Sequence, residues 1–529
     1  MNFKYTFKKM IPATALLLSL SMGSCVNDLD VEPIDPSTVM EADVEGIYNK
    51  CFASMALAGN GGADGDCDID GLDGGTTGFV RQLWNANELT TDEAICCWGD
   101  EGIPAFNYNQ WGASHPMLKG FYYRLYFGVT MCNYYLTEFS EYNAQMTAEV
   151  RFLRALYYYH LMDCFGNVPF MTAVSNEKAP QYSRQQMYDF IETELTECEA
   201  DMAAPMTTTY GRPDKAAAWM LFARLYLNAE VYTGTAQWSK AATYAEKVMN
   251  SGYKLHTAGT ADWSAYQMLF MGDNNQNGAE VEAILPLLQD GVTTTSYGTT
   301  MFLMASTFKA DMTLVGTATN NTTEAWAGNR ARPQLVEKFF PAKNIPLGTT
   351  DEILEAAGDD RALFWGKGRT LDVTDVADFS KGISIAKFTN FYTSGSSHNS
   401  KYPDSDFFLM RAAEAWLTYA EATARANGGT VTPEGKIAID DIRNRANAAT
   451  KSKYTLDDIL DEWSREFYFE GRRRTDLIRY NRFGGNSDYQ WQWKGGSENG
   501  VNFSKDLNIF AIPDTELNTN PNLKQNDGY

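Results

Sequence analysis

Oxygen-bearing side chains alternate along residues 273–278, whose sequence is DNNQNG. This is the opening pattern of a calcium loop, in which alternate side chains direct their oxygens to one point and the glycine permits the turn. The glutamate expected at the twelfth position is absent, because Ile284 stands there. A metal-free turn rich in asparagine is therefore the alternative interpretation. The expected ligands of a structural calcium ion are Asp273, Asn275, Asn277, Glu280 and Asp404.

Common catalytic motifs are missing from the sequence. It contains neither a G-x-S-x-G nucleophile elbow nor an H-E-x-x-H zinc motif, and the GKG at 366–368 lacks the rest of a phosphate-binding loop. The histidines stand apart from one another and from cysteines at zinc spacing; they are His115, His160, His256 and His398. A glycosidase needs only two carboxylates across a cleft, so the 67 Asp and Glu residues leave that possibility open.

The net charge of −23 restricts the class of ligand. A field of this sign repels a phosphate backbone, so we do not expect nucleic acid as a partner. Neutral ligands such as sugars feel no net charge.

The first 40 residues predict a lipoprotein export signal and a tether. Lys4, Lys8 and Lys9 precede a short apolar stretch at 11–20, and the small residues Gly23 and Ser24 precede Cys25. We therefore expect 1–24 to be a signal peptide, Cys25 to carry lipid, and the acidic segment 25–40 to be the tether. An ordinary secretory signal is the alternative. The other seven cysteines cannot all pair, and a domain this large needs no disulfide framework.

Apolar periodicity predicts a mainly α fold. In 149–165, for example, Val150, Leu153, Tyr157 and Leu161 recur at helical spacing. Two pairs of segments, with alanines interleaved among bulky apolar residues, are typical of tetratricopeptide-like helix pairs, although two unrelated hairpins would give a similar pattern. The pairs are 215–230 with 239–251, and 410–427 with 434–447. The other predicted helical segments are 41–57, 117–139, 149–165 and 457–480.

Between 293 and 400 the periodicity fades and Gly, Thr, Asn and Asp become frequent. We predict a loop-rich insert with a few strands, and loops of this kind often carry binding surfaces. The basic run Arg472-Arg473-Arg474 could mark an anion site, but ion pairing is the favoured interpretation in so acidic a chain.

Two long runs carry a family resemblance: EVRFLRALYYYHLMDCFGNVPF at 149–170 and SREFYFEGRRRTDLIR at 464–479. Together with the candidate lipidated cysteine and the final NPNLKQNDGY, they resemble the SusD/RagB family along the whole chain. The resemblance implies a SusD-like fold at 41–529, a helical scaffold with tetratricopeptide-like pairs. It also implies a non-catalytic lipoprotein on the outer membrane that captures oligosaccharides for a SusC-like TonB-dependent transporter. A bound calcium ion is compatible with it.

Shorter runs, among them DIDGLDG, NELTTDE and ARLYLNAEVYTG, resemble the starch-binding members of the family more closely. This implies an aromatic arc for an α-glucan, because flat rings cover the apolar C–H face of a sugar while polar groups bond its hydroxyls. Asp100 or Glu101 stands where an asparagine would be expected, and the loop at 317–328 is longer. Another polysaccharide ligand and a protein-binding scaffold remain alternatives. The implied contacts are Trp98, Tyr297 and Trp326 for stacking, and Asp73, Arg81 and Asp100 for hydrogen bonds.

Overall fold

The computed structural model describes residues 43–63, 65, 67–314, 320–395, 401–485 and 488–529. Val44–Tyr529 form one compact unit. The predicted signal peptide, Cys25 and the tether lie outside the described residues. Among the residues that are described, no helix is both long enough and apolar enough to cross a membrane.

Helices dominate the regular structure of the described ranges, which confirms the prediction of a mainly α fold. The helices are α1 (Val44–Ala56), α2 (Gly74–Thr77), α3 (Phe79–Trp84), α4 (Ile103–Asn107), α5 (Pro116–Glu138), α6 (Ala144–Phe165), α7 (Arg184–Cys198), α8 (Lys215–Leu227), α9 (Ala229–Thr233), α10 (Trp238–Met249), α11 (Ala265–Met268), α12 (Thr300–Thr307), α13 (Pro333–Glu337), α14 (Thr350–Ala357), α15 (Ala413–Ala426), α16 (Pro433–Arg445), α17 (Leu456–Phe467), α18 (Arg473–Arg479) and α19 (Asp514–Thr519). The strands are β1 (Ala94–Cys96), β2 (Val168–Pro169), β3 (Gln181–Tyr182), β4 (Ala283–Leu287), β5 (Asn329–Ala331), β6 (Phe364–Trp365), β7 (Ile383–Ile385) and β8 (Phe407–Arg411).

A glycine and a tyrosine hold the first long helices together. A Cβ at Gly128 of α5 would lie 2.3 Å from the Tyr157 ring of α6, so only glycine allows this approach. The Tyr157 hydroxyl donates to the backbone oxygen of Cys51 in α1 at 2.8 Å. One buried side chain therefore connects three helices.

The helices α8, α10, α15 and α16 pack in succession. Phe222 of α8 stacks on Tyr244 of α10, with ring centroids 4.4 Å apart. Ala241 and Ala245 of α10 are fully buried, because small side chains let neighbouring helices approach closely. Both predicted helix pairs are present, and the packing of α10 against α15 joins them into one array.

A small antiparallel sheet crosses the loop-rich part of the chain, with strand order β1-β5-β7-β6. The pairing of the edge strand β1 with β5 brings Ala94 opposite Ala331 and Cys96 opposite Asn329. The sheet thus brings the chain just after residue 96 close to the chain just before residue 329. These are the segments that carry Trp98 and Trp326.

The loop-rich segment 293–400 contains more helix than its composition predicts. Three short helices, α12, α13 and α14, lie within it. For α14 the reason is local: Thr349 and Glu352 form a capping box at its start, and Gly358, at φ +56°, ends it.

The segment 457–480 is two helices, so the prediction of one helical block misses a break. Helix α17 ends at Phe467, and Phe469 and Gly471 have φ values of +65° and +79°. Oε1 of Glu88 accepts hydrogen bonds from the backbone N–H groups of Gly471 at 2.7 Å and Arg472 at 2.9 Å. This buried carboxyl holds the turn open by satisfying groups that a continuous helix would bond internally.

The basic run at the start of α18 forms ion pairs, as predicted. Arg473 donates through Nε to Oδ1 of Asp92 at 2.8 Å and through Nη2 to Oδ2 at 2.9 Å. Arg472 and Arg474 pair with Asp476 and Asp163, each at 3.1–3.2 Å. The charges are buried and compensated, since an unpaired buried charge would be costly.

Glu466 of α17 is the centre of a second buried charge cluster. Its carboxylate accepts from Arg411 at 2.6 Å and Arg361 at 3.2 Å, and Arg445 also bonds it. Burial would raise the pKa of Glu466, but the charges of these arginines outweigh it and lower the pKa to about 2. The carboxylate is therefore ionised at neutral pH although it is fully buried.

Candidate functional site

Trp98 is placed by the end of strand β1. The backbone N–H of the preceding residue, Cys97, donates to the oxygen of Gly328 at 3.0 Å, which extends the contact of β1 with β5. Gly328 has φ +120°, and a Cβ there would lie 2.3 Å from Nε1 of Trp98. Glycine at 328 is therefore needed both for the turn and for the position of the indole.

Trp326 lies beside Trp98, with ring centroids 6.5 Å apart and ring planes inclined at 57°. Its backbone N–H donates to Ala305 at 2.8 Å, and its Nε1 donates to Oε2 of Glu324 at 2.8 Å. The indole is thus fixed at both its backbone and its ring nitrogen. It remains half-buried, with part of its surface open to solvent.

Tyr297 continues the row. Its ring centroid is 6.1 Å from that of Trp326, with planes inclined at 49°. Like Trp98 and Trp326, it is half-buried and not enclosed in the core. The structure therefore brings together three rings that the sequence separates by up to 228 positions, in a row whose successive planes are tilted. We call Trp98, Trp326 and Tyr297, with Tyr402 described next, the aromatic row.

Tyr402 extends the row, and the sequence analysis missed it. Its ring centroid lies 5.9 Å from that of Tyr297, at an inclination of 54°. Lys401 donates from Nζ to the Tyr297 hydroxyl at 2.6 Å, and its amine lies 4.8 Å from the centroid of that ring. The only local signal was the aromatic-basic pair Lys401-Tyr402 at the end of the loop-rich segment.

Proton positions at this end of the row are set by burial and by the lysine. Burial, followed by a hydrogen bond with Tyr297, raises the pKa of Tyr402 to about 12. The hydrogen bond with Tyr297 raises the pKa of Lys401 above its ordinary value. At neutral pH Lys401 is therefore a cation, the Tyr402 hydroxyl keeps its proton, and both are hydrogen-bonded to Tyr297.

Arg81 lies behind the first ring of the row. Its guanidinium carbon is 5.8 Å from the Trp98 ring centroid and 5.0 Å from that of Phe302. Its backbone N–H donates to Gly298 at 2.9 Å, next to Tyr297, so α3 and the Tyr297 loop are held together. Burial lowers the pKa of Arg81, partly offset by the charges of Asp73 and Asp100.

Asp73 caps helix α2 and is exposed. Its Oδ1 accepts from the backbone N–H of Thr76 at 2.9 Å, and its Oδ2 accepts from the Thr76 hydroxyl at 2.6 Å. Burial would raise the pKa of Asp73, but these hydrogen bonds lower it. The side chain is an ionised acceptor held in a fixed direction, with lone pairs left for a hydroxyl donor.

Asp100 and Glu101 lie on the exposed turn that leads from Trp98 to α4. The backbone oxygen of Asp100 accepts from Ile103 at 3.0 Å, which fixes the turn. Their side chains are thus available to solvent at the Trp98 end of the row.

The expected calcium ligands bond within the protein. Oδ2 of Asp273 accepts from the backbone N–H and hydroxyl of Thr393, at 2.9 and 2.5 Å, and Oδ1 accepts from the Asn277 amide at 3.1 Å. Oε2 of Glu280 accepts from the N–H of Gly278 at 2.8 Å. These bonds close a turn that connects 273–280 to the loop around 393.

The remaining expected ligands do not complete a cation cage in this arrangement. Asn275 is exposed, whereas Asp404 is buried and its backbone N–H donates to Asn390 at 2.9 Å. Within the described ranges, no group of three or more His, Cys, Asp or Glu side chains is close enough to hold a metal ion. Calcium binding here stays a prediction, and it would require these side chains to exchange hydrogen bonds for the ion.

Two family models match the chain, one in its C-terminal part and one in its N-terminal part. A model described as "SusD family" matches residues 297–529. A second, described as "Starch-binding associating with outer membrane", matches residues 30–227. The first match contains Tyr297, Trp326 and Tyr402, and the second contains Trp98.

Named relatives match along the full length. The starch-binding protein SusD of Bacteroides thetaiotaomicron is 40% identical, and the match covers 100% of both chains. SusD-like protein P2 of Formosa agariphila is 24% identical over 98% of this chain and 100% of its own.

Solved structures share the fold. A SusD superfamily protein from Parabacteroides distasonis superimposes with a TM-score of 0.68 at 21% identity, over 92% of this chain and 98% of its own. Surface glycan-binding protein A from Bacteroides uniformis gives a TM-score of 0.66 at 21% identity, over 91% and 98%. A full-length relative at 40% identity, together with this helical scaffold, establishes that the chain belongs to the SusD family.

Proposed function

We propose that this protein binds starch-derived α-glucan oligosaccharides on the aromatic row and passes them to a SusC-like TonB-dependent transporter in the outer membrane. The observation that carries the proposal is the row itself: tilted, half-buried rings in contact with one another. Arg81 lies 5.8 Å from the Trp98 ring, Asp73 lies close to Arg81, and Asp100 is on the turn that follows Trp98. Family membership, and the name of the starch-binding relative from B. thetaiotaomicron, support the same ligand.

The geometry suits a coiled sugar chain. Each ring can cover the apolar face of one glucose unit, and neighbouring ring planes are inclined to each other at 49–57°. A flat β-linked ribbon presents its faces in parallel and could not lie on all of these rings at once. An α-linked chain curves and can follow them.

The charged groups around the row favour binding over hydrolysis. A glycosidase needs a carboxylic acid with a raised pKa to protonate the leaving group. The pKa of Asp73 is lowered instead, and both of its oxygens already accept hydrogen bonds from Thr76. We therefore propose a non-catalytic role.

The position at the membrane rests on the sequence signals and the family. We propose that Cys25 carries the lipid anchor and that 25–40 link it to the domain. The description of one matching family model, "associating with outer membrane", supports this placement. Palmitate labelling of the parent and of Cys25→Ala would test it: loss of label and of membrane fractionation is expected for the variant.

One set of assays separates binding from the two alternatives. Protein lacking residues 1–25 is run through native gels containing amylopectin, and the same preparation is incubated with amylopectin and assayed for new reducing ends. Retardation without reducing ends is the expected result. Reducing-end production would show an enzyme, and neither effect would favour a protein-binding scaffold.

A further inference from the structure

Apart from the aromatic row, the protein has an open cleft of about 800 Å³ that shares no lining residue with the row. One wall is the extended segment 254–265. The other is formed by Trp416 of α15, the end of α16 and the turn that follows it, and Asp360 lies beside that turn. We call this cavity the helix-array cleft.

The loop wall presents a tryptophan from a defined turn. The N–H of Thr260 donates to the oxygen of Trp263 at 2.8 Å, and the Thr260 hydroxyl accepts from the N–H of Trp263 at 3.1 Å. A Cβ at Gly259 would lie 2.7 Å from the same Trp263 oxygen, so glycine is required there. Ser264 then begins α11 with a capping box. The backbone on both sides of Trp263 is therefore fixed, and its half-buried indole packs against the Phe391 ring, with centroids 5.7 Å apart.

The helical wall presents polar groups that are also positioned by contacts. Nε1 of Trp416 donates to Oδ2 of the exposed Asp441 at 3.3 Å. Across the turn after α16, the Asn447 amide donates to Oδ2 of Asp360 at 2.7 Å. One oxygen of each of these carboxylates, Oδ2, accepts a hydrogen bond from the wall, and a carboxylate has acceptor capacity for a further donor.

The charges of the cleft select against anions. Arg445 lines it, but its guanidinium bonds Glu282 at 3.0 Å and also Glu466, so its charge is compensated inside the protein. The exposed Lys254 is the other cation of the lining, and it is outnumbered by three carboxylates, those of Asp262, Asp360 and Asp441. A phosphate or an acidic glycan would be repelled, whereas the hydroxyls of a neutral sugar can donate to carboxylates.

We propose that the helix-array cleft is a second binding site for a neutral oligosaccharide, with Trp263 as the stacking platform and Asp360 and Asp441 as hydroxyl acceptors. The combination of an indole with directional acceptors is that of a sugar site, and the volume is that of a ligand pocket. The inference goes beyond the proposed function, because it assigns a site that does not depend on the aromatic row. Two sites on one chain would hold a polymer more tightly than either alone.

The test uses the protein without residues 1–25 and isothermal titration with two probes, maltoheptaose and cellohexaose. The proteins compared are the parent, Trp326→Ala, Trp263→Ala, Asp441→Asn and the Trp326→Ala/Trp263→Ala double variant. Trp219→Ala, which removes another half-buried tryptophan outside both sites, is the control. Circular dichroism and thermal melting verify that each variant is folded.

We expect Trp326→Ala to keep residual binding of at least one probe. In the Trp326→Ala/Trp263→Ala double variant, the affinity of this residual binding should fall by at least about tenfold. Asp441→Asn should weaken the same residual phase, and Trp219→Ala should not. Residual binding that is unchanged by Trp263→Ala, or the absence of residual binding for both probes, overturns the proposal. A failure of the proposed function would look different. If the aromatic row does not bind α-glucan, Trp326→Ala binds maltoheptaose as tightly as the parent does.

Discussion

Replacing Trp326 with alanine should weaken α-glucan binding more than removal of either neighbouring ring. Trp326 lies between Trp98, at 6.5 Å, and Tyr297, at 6.1 Å. Its loss removes one of the two inner rings of the row, and the indole offers a larger stacking surface than the phenol of Tyr297, the other inner ring. A sugar chain would then have to bridge a gap or bind at one end only.

The magnitude follows from the role of Trp326 as an aromatic anchor. Truncation of a residue that dominates binding typically costs about 2 kcal/mol or more. For a half-buried indole in the middle of the row we expect about 2–3 kcal/mol, a 30- to 150-fold loss of affinity by about 1.4 kcal/mol per tenfold. The contacts of Trp326 with its two neighbours exist in the free protein as well. Their loss therefore lowers stability, by about 1 kcal/mol, and adds little to the loss of binding.

The assay is titration of maltoheptaose into parent, Trp326→Ala and the control Trp219→Ala, with melting curves for all three. Affinity within twofold of the parent for Trp326→Ala would refute the reasoning. An equal loss in Trp219→Ala would also refute it, because that variant leaves the row intact.

Three further predictions concern the row, the buried charges and the calcium loop. Gly328→Ala should reduce retardation in amylopectin gels by at least about tenfold, because its Cβ would lie 2.3 Å from Nε1 of Trp98 at φ +120° and would displace the indole; unchanged retardation would contradict this placement. The pKa of Glu466, about 2 against an ordinary 4.5, predicts stability that is fully present above about pH 4.5 and is lost as the pH falls toward 2; in urea titrations Glu466→Gln should be strongly destabilised at pH 7, by about 3 kcal/mol or more, with a smaller difference from the parent at pH 3. If calcium binds at Asp273, melting in excess chelator should occur at a lower temperature than melting in millimolar calcium, and Asp273→Asn should abolish the difference; identical curves for the parent would rule out a stabilising ion.

The helical scaffold could be predicted because its signals are local. The apolar spacing around Val150 and Leu153 predicts α6, which ends at Gly166, a glycine with φ +70°. The break between α17 and α18 was missed because its cause is distant in sequence: Glu88 bonds the backbone of Gly471 from almost 400 positions away. Periodicity carries no information about such a partner.

The site could be predicted only in part, and for a similar reason. Resemblance to a family supplied Trp98, Tyr297 and Trp326, and the structure brings these rings together. Tyr402 was missed, because its only local signal, the neighbouring Lys401, does not show that the ring lies at the surface. Its place beside Tyr297 depends on how two loops about 100 residues apart are folded against each other.

The backbone oxygen of Ala305 accepts from both Trp326, at 2.8 Å, and Ala327, at 3.1 Å. The two ends of the stretch from 306 to 325 therefore lie close together, so the loop is closed at its base. A loop closed at its base can change in length at a small entropic cost, since closure entropy grows slowly with length, and the bonds to Ala305 would keep Trp326 in place. A change in its length would alter what borders the aromatic row without rebuilding the row itself.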